Sequence, residues 1–328
     1  MSFDETVKIF DRLFKNEMSE KDAKEFLIHL YEQGETSKQI AAAAKVMRDH
    51  SIKLHIPSEL QSKLIDIVGT GGDKSGSFNV SSTCSIVLSS LGCYVAKHGN
   101  RAITSNSGSA DMLEALGINL SLGANEQITM LEDCGFIFMF AQNHHPAMKY
   151  IMPIRKSLPH RTIFNILGPL TNPAGVDKML LGTFSKDYIH KITKALMQLN
   201  CPRTMAVSSR DGLDEISVSD ITYCSFLKDE TIDDFEIDPQ SFGMKLYPQD
   251  DIRGGNAKEN AKITLLILSN LEDGAKKDIV LLNCAAALMV DNKARDMQDG
   301  IQMAKESIES RLAYNKLNQI IETSQKLS

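Results

Sequence analysis

The chain has 328 residues, 42% hydrophobic and 24% charged, enough to bury a large core and in keeping with about two domains. Its 36 Lys and Arg against 42 Asp and Glu give a net charge of −6, which offers nucleic acid or an anionic membrane no global attraction; a polyanionic ligand needs a local site. The first residues lack a basic-then-apolar signal and no apolar run approaches the ~20 residues of a membrane helix, so the cytoplasm is the expected location.

Helical spacing dominates the first sixty residues. Val7, Phe10 and Phe14 recur on one face, Ala23, Phe26, Leu27 and Leu30 repeat the pattern after Ser19, and Ile40, Ala44 and Met47 repeat it again before Pro57. From Leu64 the texture changes to short apolar runs, at 64–68, 93–96, 136–141, 179–184 and 203–207, which read as strands. Amphipathic segments at 80–91, 109–116, 125–134 and 187–199 read as the helices between them. This alternation predicts an α/β fold with a mostly parallel sheet covered on both faces. A further strand is expected at 221–227, followed by an acidic, irregular stretch to about 250, and helices at 256–270, 278–290 and from Asp296. The six cysteines are widely spaced without a C-x-x-C pair and are expected as buried, reduced thiols; the adjacent His144 and His145 make a poor metal site.

Three polar stretches carry the chemistry. The first, 69-GTGGD-73, directly follows a predicted strand, where glycines let backbone N–H groups form an anion nest. A helix starting near Asn79–Ser82 would turn its free N–H groups and positive dipole end to the same place. By itself the loop is equally compatible with a structural turn, because it lacks the P-loop ending and the dinucleotide spacing. The second stretch, 97-KHGNRAITSNSGSAD-111, repeats strand, polar loop and helix, with Lys97 and Arg101 as cations. The third, 211-DGLDEIS-217, offers the adjacent carboxylates Asp214 and Glu215, which would repel a phosphate unless a hard cation such as Mg²⁺ stood between them.

Taken in order, GTGGD, FNVSS, KHGNR with SGSADMLEALG, HPAMK, PIRKSLPHRTIFNILGPLTNPAG, DGLDEIS and GGNAKENA resemble the anthranilate phosphoribosyltransferase family over nearly the whole chain. The resemblance implies the fold shared with pyrimidine nucleoside phosphorylases. In it, residues 1–63 form a helical domain for dimerisation and the anthranilate side. Residues 64–328 form an α/β domain for phosphoribosyl pyrophosphate, with a helical insertion near 145–178 packing on the first. It implies transfer of a phosphoribosyl group to anthranilate in tryptophan synthesis, by a homodimer without nucleic-acid or membrane partners.

Carried over by residue, the resemblance assigns Gly69, Gly72, Asp73, Ser77, Asn79, Val80, Ser81 and Ser82 to the sugar donor. It adds Lys97, His98, Gly99, Asn100, Arg101, Ala102, Ile103, Thr104, Ser105 and Ser109. Gly69, Asn100 and Arg155 would meet anthranilate; Ser81, Asp214 and Glu215 would hold Mg²⁺, two ions per monomer. No general base is assigned. Lys74, Pro159 and the Ser209–Arg210 pair depart from the family pattern without removing a named ligand. The competing readings are a pyrimidine nucleoside phosphorylase, in which a metal-bound pyrophosphate has no role, and a non-catalytic nucleic-acid-binding relative, which would need a basic groove.

Overall fold

The computed structural model describes residues 1–73, 75–102 and 106–327. Helices Phe3–Phe14, Glu20–Gln33 and Ser37–Asp49 open the chain, each started by a hydroxyl N-cap (Ser2, Ser19 and Thr36) accepting a first-turn N–H. Their apolar faces bury Phe10, Leu27, Leu30 and Ile40.

Among the described residues, seven strands make one sheet: β1 (Leu64–Gly69), β2 (Tyr94–Gly99), β3 (Phe136–Phe140), β4 (Lys178–Gly182), β5 (Arg203–Ser209), β6 (Thr222–Lys228) and β7 (Thr231–Ile237). The order is β3-β2-β1-β4-β5-β6-β7, parallel from β3 through β5 and antiparallel at β6 and β7. Strands β1 to β5 are apolar runs buried on both faces, as a parallel sheet under helices requires. The expected irregular stretch after β6 departs from this: β7 (TIDDFEI) pairs along the whole of β6, while its acidic residues leave the far edge charged.

The chain turns outward to β2 and β3 and then returns across β1 to β4, so β1 is the topological switch point, beside which ligands collect in open α/β sheets. Helices Val80–Ser90 and Ala275–Val290 pack on the sheet and on each other, Leu312–Lys326 packs on Val80–Ser90, and the apolar cores of the opening helices and of the sheet are continuous. The segment 145–178 meets the opening helices through Phe164, whose ring lies 6.1 Å from both Phe10 and Phe14. Farther along, Tyr188 donates its hydroxyl at 2.8 Å to the buried carboxylate of Glu35, joining helix Lys186–Gln198 to the start of the third helix. All six cysteines are buried and unpaired. Among the described residues no helix is long and apolar enough to cross a membrane.

Candidate functional site

A cleft of about 700 Å³ opens at the carboxyl ends of β1 and β2, and all three polar stretches reach it. Gly69 ends β1, and the loop beyond it passes through Gly71 and Gly72 at φ of 69° and 71°, a region that glycine enters without strain. The loop returns through Ser77 to Asn79 and enters helix Val80–Ser90, whose first turn faces the cleft. Gly99 ends β2, and a Cβ there would collide with Ser109 Oγ and the Phe138 ring, so the second loop turns tightly enough for Ser109 Oγ to accept the Asn100 N–H at 3.2 Å.

Lys97 rises from β2 with only 2% of its surface exposed, and its Nζ donates to Ile67 O at 2.8 Å and Ser81 Oγ at 3.3 Å. Burial pulls its pKa down, while Asp66 and Glu215 oppose that shift. His98 next to it is also buried; burial first, then His145, His144 and Lys97, press its pKa down to about 3, so it is a neutral imidazole. His145 lies 5.3 Å from it, likewise lowered, to about 4.

The acidic pair forms the wall opposite Lys97. Asp214 Oδ2 accepts the Gly71 N–H at 2.6 Å, tying the 211–217 loop to the glycine loop. Burial and the nearby Asp73 charge push Asp214 up to about 7, and burial and Asp214 push Glu215 well up as well. Asp73 lies beside Asp214 with its Oδ2 buried. Three carboxylates crowded in this way are stabilised by a cation. Among the described residues no group of three or more His, Cys, Asp and Glu is placed to hold a metal ion. Mg²⁺ takes one or two carboxylates and completes its shell with phosphate oxygens and water.

The residues expected from the sequence divide into three sets. Gly69, Gly72, Asp73, Ser77, Asn79, Val80, Ser81, Ser82, Lys97, His98, Gly99, Asn100, Ser109, Asp214 and Glu215 all line the cleft. Arg101 and Ala102 do not: the Arg101 guanidinium is turned outward by Glu114 at 2.6 and 2.7 Å and Asp111 at 3.1 Å, and Ala102 N–H is taken by Asp111. Ile103, Thr104 and Ser105 lie outside the described residues, as does Lys74. Arg155 stands apart from the cleft wall on helix Met148–Lys156, its guanidinium 5.6 Å over the Phe164 ring and without a carboxylate partner among the described residues. Of the departures from the family pattern, Arg210 is paired with Asp220 on the surface and Pro159 is exposed, both away from the cleft.

Several cleft features carry no sequence assignment. Asn106, Ser107, Gly108, Gly255 and Asn260 complete the wall, and Arg161 bonds the Gly72 carbonyl while lying 3.7 Å over the Phe184 ring. The GGNAKENA motif was the visible signal for Gly255 and Asn260. A separate cleft of about 590 Å³ beside Arg48, Lys53 and His55 has no residue of either polar loop in its wall.

The model of the glycosyl transferase family, a/b domain, matches residues 61–314. An anthranilate phosphoribosyltransferase of Methanobrevibacter smithii is 44% identical over 312 residues, covering 95% of this chain and 92% of the relative. The crystal structure of anthranilate phosphoribosyltransferase from Thermus thermophilus superposes with a TM-score of 0.92 at 34% identity, covering 99% and 96% of the two chains. The Saccharomyces cerevisiae enzyme in complex with PRPP and Mg superposes with a TM-score of 0.85 at 29% identity, covering 98% and 92%.

Proposed function

The chain belongs to the anthranilate phosphoribosyltransferase family, and on that premise we propose how its cleft performs the reaction. The enzyme transfers the phosphoribosyl group of 5-phosphoribosyl 1-pyrophosphate to the amine of anthranilate, giving N-(5-phosphoribosyl)anthranilate and pyrophosphate, a step of tryptophan biosynthesis. The observation that carries the reading is the convergence of two strand-end loops, a helix amino terminus, Lys97 and the Asp214–Glu215 pair on one cleft.

In this reading Gly69, Gly72, Asp73, Ser77 and Asn79–Ser82 cradle the pyrophosphate and ribose, and Lys97, His98, Gly99, Asn100 and Ser109 hold the phosphates from the other side. Arg101 and Ala102 carry the same assignment, but the Arg101 side chain is held outward by Glu114 and the Arg101 and Ala102 N–H groups by Asn100 and Asp111, so a part in donor binding requires those bonds to be exchanged for the donor. Ser81, Asp214 and Glu215 would hold Mg²⁺, with two ions per chain as the proposed stoichiometry. When bound, Mg²⁺ supplies charge that the leaving pyrophosphate needs.

Cleavage at the anomeric carbon places positive charge on ribose and negative charge on pyrophosphate. Lys97 and the positive end of helix Val80–Ser90 face the place of the latter charge before reaction begins, which is electrostatic preorganisation. The aromatic amine is unprotonated at neutral pH, so attack needs no base beforehand; as the C–N bond forms and the C–O bond to pyrophosphate breaks, the surplus amine proton leaves late, to water. Gly69 and Asn100 border the point where amine and ribose meet. Arg155 pairs with the anthranilate carboxylate; its support is a half-buried guanidinium with a flat aromatic neighbour and, among the described residues, no carboxylate of its own.

Residues 1–63 act as the helical domain of a cytoplasmic homodimer, and their movement with 145–178 toward the cleft brings Arg155 to the donor and expels water. The test is incubation with phosphoribosyl pyrophosphate, Mg²⁺ and anthranilate while anthranilate fluorescence is followed. Loss of fluorescence that requires all three components is expected. No turnover, with phosphate-dependent release of base from uridine or thymidine instead, would overturn the reading in favour of a phosphorylase.

A further inference from the structure

The GGNAKENA stretch is strapped to the glycine loop by the backbone. Phe78 N–H reaches Ile252 O at 3.1 Å, Gly254 N–H reaches Gly76 O at 2.9 Å, and a Cβ on Gly254 would stand 2.6 Å from Phe78 Cα. Asn256 then caps helix Ala257–Leu268, accepting the Lys258 and Glu259 N–H groups, and the helix turns Asn260 inward until 2% of it is exposed. Asn260 Oδ1 accepts the Gly255 N–H at 2.8 Å, which fixes the amide and points its Nδ2 at Asn79 Oδ1, also at 2.8 Å.

Asn79 holds the N-cap position of helix Val80–Ser90, and asparagine there ordinarily gives its Oδ1 to a first-turn N–H. It makes no such bond, whereas Ser2, Ser19, Thr36, Ser185, Asn256 and Asp296 at other N-caps do. The reason is visible in its partners. Asn79 Oδ1 already accepts from Asn260 Nδ2 and from Ser107 Oγ at 3.2 Å, while Asn79 Nδ2 donates to Ser107 O at 3.3 Å. The two outer segments thus hold the cap residue away from the helix it would otherwise close.

We propose that Asn260 is a positioning residue for the phosphoribosyl donor: by occupying Asn79 it keeps a side-chain cap off the first turn of helix Val80–Ser90, where the Val80, Ser81 and Thr83 N–H groups serve Phe78 O, Glu215 and Asn79 O, and so leaves the Ser82 N–H and the positive helix end to the donor's anionic groups. The inference rests on the reading of the cleft as the donor site. Freed of Asn260, the Asn79 carboxamide swings onto the first turn and competes with the donor for the Ser82 N–H. The competition falls on one substrate alone, since anthranilate makes no use of that group.

The test is a double-mutant cycle on the full-length enzyme with Asn79→Ala, Asn260→Ala and the double variant, reading KM for each substrate, kcat and thermal stability. Asn260→Ala should raise the donor KM about five-fold, the size of an ordinary N-cap interaction. The anthranilate KM and kcat should stay within about two-fold. In the Asn79→Ala background, where no side chain remains to compete, the same change should move the donor KM less than about two-fold. An equal effect in both backgrounds, or equal damage to both substrates, overturns the proposal. Ser107→Ala removes only the Ser107 Oγ bond and leaves both Asn260 Nδ2 and Ser107 O on Asn79, so it should raise the donor KM by less than about two-fold. A rise as large as that expected of Asn260→Ala would show that Ser107 rather than Asn260 holds Asn79 and overturns the proposal, including where Asn260→Ala fails to fold. A wild-type enzyme without turnover would instead count against the donor-site reading itself.

Discussion

A Cβ built on Gly69 would stand 2.5 Å from Asp214 Oδ2 and 2.9 Å from its Cγ. A Cβ on Gly182, its partner in register on β4, would come closer still, onto the Asp214 backbone carbonyl. Two bare strand ends therefore let the 211–217 loop lie directly across the sheet, and this close approach brings the carboxylate to the Gly71 N–H. Gly69→Ala should displace Asp214 by a few tenths of an ångström or more and lower kcat/KM by about 100-fold, since misplacement on the order of 1 Å costs that much in a preorganised site. Steady-state kinetics beside a melting curve check this; activity within about three-fold of wild type would show that the contact is slack.

Asp214 and Glu215 are costly to bury as charges, and each carboxylate makes its neighbour harder to ionise. Their replacement by Asn and Gln should leave the fold intact or more stable while lowering kcat by about 100-fold and raising the Mg²⁺ concentration for half-maximal rate. A second readout needs no turnover: Mg²⁺ with phosphoribosyl pyrophosphate should raise the melting temperature of the wild type more than that of the variant. Equal rises would place the metal elsewhere.

The parts of this architecture that could be read from the sequence are those in which neighbouring residues share one environment. Strands β1 to β5 are runs buried on both faces, and GTGGD and KHGNR begin on the last residues of two of them, so the order of residues alone assigns both loops to strand ends. β7 was hidden because its pairing is held by backbone on an edge whose side chains are mostly solvated, and 231-TIDDFEI-237 has the composition of a loop. Arg101 was misleading for a related reason. Its loop position suggested a phosphate cation, but Glu114, thirteen residues on, returns along a helix and draws it outward. Asn260 lies 181 residues from Asn79, a pairing that only the closed fold reveals.

Arg155 presents the opposite situation from Arg101, a guanidinium with an aromatic ring beside it and no acidic partner among the described residues. Arg155→Ala should raise the anthranilate KM by about 10- to 100-fold, the range of a charged hydrogen bond, with the donor KM changed by less than about three-fold. Arg155→Lys should recover only part of the loss, because an ammonium cannot meet both carboxylate oxygens as a planar fork does. Equal increases in both KM values would remove Arg155 from the anthranilate side.

Asp66 is fully buried in β1, its Oδ1 accepting the His98 N–H at 3.3 Å and its Oδ2 accepting Asn172 Nδ2 at 2.8 Å. Burial raises its pKa to about 6, against the pull of Lys97 and these donors. Between the ordinary carboxylate value near 4 and about 6, the folded chain keeps a proton that the unfolded chain has released. The native state therefore binds more protons in that window, and stability from this group falls as pH rises through it, by at most about 3 kcal/mol. Above the window the loss is complete and the contribution is flat. Asp66→Asn removes the ionisation, so its stability relative to wild type should improve between about pH 4 and about pH 7 whatever the fixed cost of the altered hydrogen bonds. Urea unfolding at the two pH values measures the difference; a relative stability unchanged to within about 0.5 kcal/mol would mean that Lys97 holds Asp66 ionised throughout.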